Sequence, residues 1–408
     1  MAEALQRKLT SIDVSDPHLY QDDTWYDLFA QLRRDDPVHY CEASPYGPYW
    51  SVTRYDDIFD VELDHANYSS SSEFGGIQIT DQPLGQEFAN FIRMDPPGHT
   101  AHRRTVAPIV APSHLANFEP LIRKRTSDVL DALPRNETFD WVERVSTDLT
   151  NMMLATLFDF PWADRMKLTW WSDVAIANVE SPDAVVHSME ERVSELTKMG
   201  EYFRKLWDAR AAAAPTFDLI SMLSHAEATR NLQSREFIGT IALLIVGGND
   251  TTRNSMTGGL MALVENPEQF ELVRARRELI PNLVSEIIRY HTPVLHMRRT
   301  ARADVELAGR RIAKGDKVVM WYISGNRDES KIERADQFII DRAKPRQHLS
   351  FGAGIHRCVG DRLAEQQIRI LWEEVLARDL RFEIMGPPQR LYSNFIRGIR
   401  SLPVRIVS

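Results

Sequence analysis

One cysteine stands among three glycines in Phe351-Gly352-Ala353-Gly354-Ile355-His356-Arg357-Cys358-Val359-Gly360. A cysteine does chemistry as its thiolate, whether as nucleophile or as metal ligand. Glycines beside it permit tight turns and let a flat ligand approach the backbone. A helix is expected directly after the decapeptide, over Leu363–Arg378. The sulfur would then lie near a helix N-terminus, whose amides and dipole favour the ionised form. Set axially on haem iron, a thiolate donates electron density and favours O–O cleavage. The bland reading of a lone cysteine is a small buried hydrophobe. Gly352-x-Gly354 also opens like a dinucleotide loop, but the third glycine is misplaced and no strand with a downstream acid surrounds it.

A second reactive stretch is Gly247-Gly248-Asn249-Asp250-Thr251-Thr252, inside a long apolar helix expected over Arg235–Val264. A buried aspartate without a partner is costly. Each interior glycine costs about 1 kcal/mol relative to alanine. We therefore expect the helix to be interrupted here, widening into a groove. Asp250 and Thr251 could equally cap its second half. Glu286-Ile287-Ile288-Arg289 sets opposite charges at i and i+3 on a helix over Leu279–Tyr290, and His99 and Arg103 share a face at i and i+4.

These residues need a scaffold. The chain has 408 residues, past the size at which one core usually stops growing, so two domains or one large one are expected. Hydrophobic residues at 43% and charged residues at 26% place it among ordinary globular proteins. A net charge of -9 argues against nucleic acid as the main partner. Two cysteines, Cys41 and Cys358, do not make a disulfide framework and suit a reducing cytosol. No apolar run reaches the length of a membrane span, and the N-terminus does not read as a signal peptide. Helices are also expected over Pro120–Leu133, Val142–Phe158 and Glu190–Arg210. Strand texture appears at Tyr49–Thr53, around Ala308-Gly309 and Lys314-Gly315, and in the tail from Arg381. Ser69–Phe91 reads as a long loop, of the kind that covers a site. The expected class is mainly α with small β-sheets. The α-rich parts are about 97–290 and 358–378; the β-rich parts are about 35–65, 300–320 and 380–408.

The decapeptide resembles the haem-binding loop of the cytochromes P-450, with His356 where many members carry arginine. The resemblance covers nearly the whole chain. It implies one domain over 1–408, with haem b between a long central helix and the cysteine loop. Cys358 would be the iron ligand, with Phe351, Gly352 and Gly360 against the haem. His99, Arg103, Arg299 and a titratable His356 would meet its propionates. Asp250 and Thr251 correspond to the family's acid–alcohol pair: Thr251 would hydrogen-bond the dioxygen unit while Asp250 relays protons from solvent. Glu286 and Arg289 match the family's Glu-x-x-Arg, which Arg342 would complete as a structural triad.

Longer stretches, such as Met152–Trp162 and His296–Ala301, resemble the soluble bacterial alkane-hydroxylase branch. That branch oxidises the terminal methyl of medium-chain alkanes, and some relatives take fatty acids. It draws electrons from NAD(P)H through a ferredoxin reductase and a [2Fe-2S] ferredoxin in the cytoplasm. Expected channel residues are Leu244, Ile245, Gly248, Leu295, Met297 and Phe395, with Phe91 and Ile92 from the loop side. Arg104, Arg357, Arg362 and Arg369 would form a basic docking face for the ferredoxin. A terpenoid hydroxylase, a peroxide-driven hydroxylase and a non-catalytic haem-thiolate sensor are the other readings.

Overall fold

In the computed structural model, residues 12–81 and 88–407 are described. Its axis is one helix, Ser234–Glu265, 32 residues long and so about 48 Å from end to end. It ends at Asn266, ahead of Pro267, which cannot continue it. The expected interruption does not occur: the helix runs unbroken through Gly247 and Gly248. The glycines serve close approach instead. A side chain at Gly248 would meet Leu154 at 2.7 Å, and one at Gly258 would meet His291 at 2.2 Å. At Gly247 a side chain would meet nothing within 4 Å, so the space beside it stays open.

Helices Met166–Ile176 and Met189–Ala211 pack on one side of this axis, and Ile280–His291 and Asp361–Ala377 also pack against it. Pro112–Asp131 packs in turn on Asp361–Ala377. It starts eight residues before the expected Pro120, which it carries in its interior. Val142–Phe158 divides into a wide-turn segment, Val142–Thr147, and a regular helix, Asp148–Leu157. The first hundred residues, where short strand-like pieces are expected, also hold helices Pro17–Gln21, Tyr26–Asp35 and Tyr55–Leu63.

The sheets are small. Strands Val38–Cys41, Tyr49–Val52, Lys317–Trp321, His296–Ala301 and Tyr68–Ser69 form one sheet in that spatial order. Val305–Leu307 and Arg310–Ile312 pair as a hairpin. Its turn residues, Ala308 and Gly309, both have positive φ, at 49° and 76°, as a tight hairpin with the right twist requires. The tail supplies Phe382–Ile384 and Pro403–Ile406, which join Thr138–Asp140 in a three-stranded sheet. The chain is thus mainly α with small sheets. Among the described residues, no helix is long and apolar enough to cross a membrane.

One buried charge cluster ties these parts together. Arg289 and Glu286 are 0% and 1% exposed and form a two-pronged ion pair with both contacts at 2.7 Å. Arg289 also donates to the carbonyls of Asn326, Ala335 and Gln337. Arg342 Nε donates to both Glu286 oxygens at 3.1 Å, and the Ile339 amide donates to one of them. From Asn326, hydrogen bonds run on to Ser350 and Leu349, directly before the cysteine loop.

Replacing Glu286 by glutamine leaves Arg289 buried without its counter-charge. The expected loss of stability is about 3–5 kcal/mol, read from denaturant unfolding. A loss under about 1 kcal/mol, the scale of a surface pair, would contradict the role given to the cluster.

Candidate active site

A cavity of about 350 Å³ lies between the central helix and the cysteine loop. On the helix, Leu243, Gly247, Thr251 and Ser255 recur every four residues and face it, as one side of a helix must. Opposite them the wall is Phe351, Gly352, His356, Cys358 and Gly360.

The loop is shaped to present the sulfur. Gly352 and Gly354 have φ of +64° and +62°, which side chains rarely adopt. A side chain at Gly354 would also strike the Glu62 carbonyl at 2.4 Å. The Cys358 amide donates to the Phe351 carbonyl at 2.8 Å, closing the loop. Cys358 counts as exposed, but the surface it is exposed to is the cavity wall. Burial pushes its thiol up to about 11, against the pull of a hydrogen bond from the Gly360 amide and of the charges on Arg103 and Arg357. The expected help from the helix N-terminus is therefore outweighed by desolvation. Cys41 is buried, with its sulfur toward the Ala43 carbonyl, and its thiol is likewise pushed to about 11.

Cationic and donor groups cluster beside the sulfur. Arg103, Arg299 and His356 line the cavity, and the His99 ring lies 4.3 Å from that of His356. His99 is buried with neither ring nitrogen hydrogen-bonded. Burial lowers its pKa to about 4, and burial together with Arg299 lowers that of His356 to about 2. The Nε2 of His356 shares a 2.8 Å hydrogen bond with Ser70. Arg299 is not free: it donates to Glu62 at 2.8 Å, and the Tyr322 hydroxyl donates to the same carboxylate. Neither Glu62 nor Tyr322 was foreseen, since nothing in the sequence links residues 62, 299 and 322.

These groups fit a flat dianionic macrocycle whose metal would take a sulfur ligand. There is open space beside Gly247 and Gly360, a sulfur facing inward, two guanidinium groups, and buried imidazole nitrogens with no protein partner. His99, Arg103, Arg299, His356, Phe351, Gly352 and Gly360 are the residues that would hold it.

Asp250 and Thr251 point different ways. Thr251 lines the cavity and its hydroxyl donates to the Gly247 carbonyl at 3.0 Å. Asp250 is turned into the protein and is fully buried. It accepts from Ser172 at 2.5 Å and from Arg253, which in turn reaches Asp173 at 2.9 Å. The Asp173 side chain is 31% exposed, so the chain of groups ends at solvent. Burial raises the pKa of Asp250 to about 6; the Asp173 charge adds to this and Arg253 opposes it. Asn249 accepts from the buried Thr150 hydroxyl at 2.7 Å and anchors the neighbouring helix.

Leu244, Gly248, Met297, Phe395, Phe91 and Ile92 all line the cavity. Ile245 and Leu295 do not. Ile245 lies one helical step round from Leu244, and that step of about 100° turns it into the core. Leu295 packs in the cluster of Trp321 and Val319, and its neighbour Val294 takes the wall position. Of the long loop, Ile77, Gln78 and Phe88 reach the wall; residues 82–87 lie outside the described structure. Arg192, also on the wall, was missed because it reads as one charge of an amphipathic helix. On the outer face, Arg357 is paired with Asp361, and Arg369 with Glu119 and Glu373. Arg104, Arg357 and Arg362 are exposed and Arg369 is half-buried.

The family model for cytochrome P450 matches residues 182–390. The chain is 37% identical to linalool 8-monooxygenase of Pseudomonas putida, over 97% of this chain and 98% of that protein. It is 34% identical to the methyl-branched lipid omega-hydroxylase of Mycobacterium tuberculosis, over 94% of this chain and 91% of that one. The solved structure of CYP153D17 from Sphingomonas sp. superposes with a TM-score of 0.91 at 48% identity, covering 97% of this chain and 99% of that one.

If Asp250 carries protons from Asp173 toward Thr251, Asp250→Asn should slow turnover about 100-fold while equilibrium substrate binding is unchanged. Asp173→Asn should slow it less, since water can replace a surface group. Substrate consumption and binding, measured side by side, check this; full turnover in Asp250→Asn would exclude the relay.

Proposed function

The chain belongs to the cytochrome P450 family and is a haem-dependent monooxygenase; within that family we propose that it hydroxylates the terminal methyl of medium-chain alkanes or fatty acids. The observation that carries this reading is the cavity itself. Its lining is mostly aliphatic and aromatic, with Thr251 on one side and Cys358 on the other. Cys358 would ligate the iron, and Arg103, Arg299, His99 and His356 would hold the carboxylates of the porphyrin. The haem, when bound, supplies the dioxygen activation that no side chain can perform.

The protein's own residues then do three things. Thr251 holds a hydroxyl at the reacting end, within the wall of the central helix. Asp250, its pKa raised to about 6 by burial, would take protons from the solvent side, where its partner Arg253 meets Asp173, and deliver them toward Thr251. Phe91, Leu244, Met297 and Phe395 exclude water and orient the chain. Orientation must decide the outcome, because a terminal C–H bond is stronger than its internal neighbours and only positioning can favour it. The likeness to a methyl-branched lipid omega-hydroxylase supports a terminal outcome. Electrons would come from NAD(P)H through a reductase and a [2Fe-2S] ferredoxin docking near Arg104 and Arg362, in the cytoplasm.

The likeness to linalool 8-monooxygenase favours a second reading, a terpenoid alcohol as substrate. Turnover of octane and of linalool, fed by a ferredoxin, its reductase and NADH, separates the two. The linear-chain reading expects octane to give mainly the terminal alcohol. Internal alcohols, or turnover of linalool alone, would overturn it.

A further inference from the structure

One cation on the cavity wall has no anion to meet it. Arg192 lies in the first turn of helix Met189–Ala211, over the end of helix Met166–Ile176. Its guanidinium donates to the carbonyls of Ala175 and Ala177. A guanidinium carries five N–H donors, and Arg192 makes no ion pair and no further hydrogen bond among the described residues. Burial alone pulls its pKa down, with no charged neighbour contributing.

The carbonyls at a helix C-terminus offset part of the cost of a cation. A full charge facing an apolar cavity still lacks its counter-charge. The neighbouring wall is Ala175, Ile176 and Leu196. The other cations of the wall are engaged or belong to the cofactor end. Arg299 has Glu62, Arg93 donates to Gln78, and Arg103 stands by Cys358.

We propose that Arg192 receives the carboxylate of a medium-chain fatty acid whose tail lies along the apolar wall toward Thr251 and Cys358. This rests on the linear-chain reading above and, within it, selects the acid over the alkane. A carboxylate takes two parallel hydrogen bonds from a guanidinium, a match that neither an alkane nor an alcohol offers. A head group held at a fixed point also determines which chain length brings the methyl to the reacting end.

Titration calorimetry on the haem-loaded protein near neutral pH tests this with dodecanoate, its methyl ester and linalool. The wild type should bind dodecanoate about tenfold or more tighter than the ester, the scale of a charge-assisted hydrogen bond. Arg192→Met should lose that advantage with ester binding little changed, and Arg192→Lys should recover part of it. Equal binding of acid and ester by the wild type would overturn the anchor alone. So would Arg192→Met weakening both alike with a lower unfolding midpoint, the mark of a residue that only caps a helix. If neither linear chain binds and linalool does, the linear-chain reading falls and the anchor with it.

Discussion

A thiol at the floor of an apolar cavity stays protonated unless a cation sits on it. At Cys358 the Gly360 amide and the charges of Arg103 and Arg357 all favour ionisation, yet burial wins and holds the thiol near 11. The polypeptide around Cys358 on balance favours the neutral thiol. A metal bound there would supply the missing positive charge, and its binding would release the thiol proton. The surrounding architecture serves to hold the sulfur where that exchange can occur. Two left-handed glycines, the Glu62 backbone and the Phe351 carbonyl fix the loop from within. The cluster of Glu286, Arg289 and Arg342 fixes it from behind.

Charge is arranged by side. Toward the cysteine loop the wall carries guanidinium and imidazole groups, suited to a dianionic cofactor. Behind the central helix, Asp250, Arg253 and Asp173 connect the buried acid with solvent without opening the cavity to water. Between these lies the apolar wall. One unbroken helix can serve all three because successive residues point about 100° apart: Asp250 faces inward to the protein while Thr251, its neighbour, faces the cavity.

Much of this was legible in the chain. The cysteine loop could be read because its glycines occupy backbone states that other residues avoid, which makes the spacing specific. Glu286, Arg289 and Arg342 could be read because a local i, i+3 pair carried two of the three. Other features depend on contacts between distant segments. Glu62 meets Arg299 and Tyr322 across more than two hundred residues of sequence. Ile245 and Leu295 are as apolar as their neighbours, and only the packing of facing elements decides which one meets the cavity. The glycines at 247 and 248 suggested a break, but their space is used by Leu154 and by the cavity, and the helix is continuous.

The central claim, that Cys358 is the iron ligand, is most directly tested by the visible spectrum of the reduced, carbon monoxide-bound protein. The account predicts one haem per chain with a thiolate-type band, lost in Cys358→Ser and kept in Cys41→Ser. A thiolate-type band that survives Cys358→Ser, or that disappears in Cys41→Ser, would contradict it.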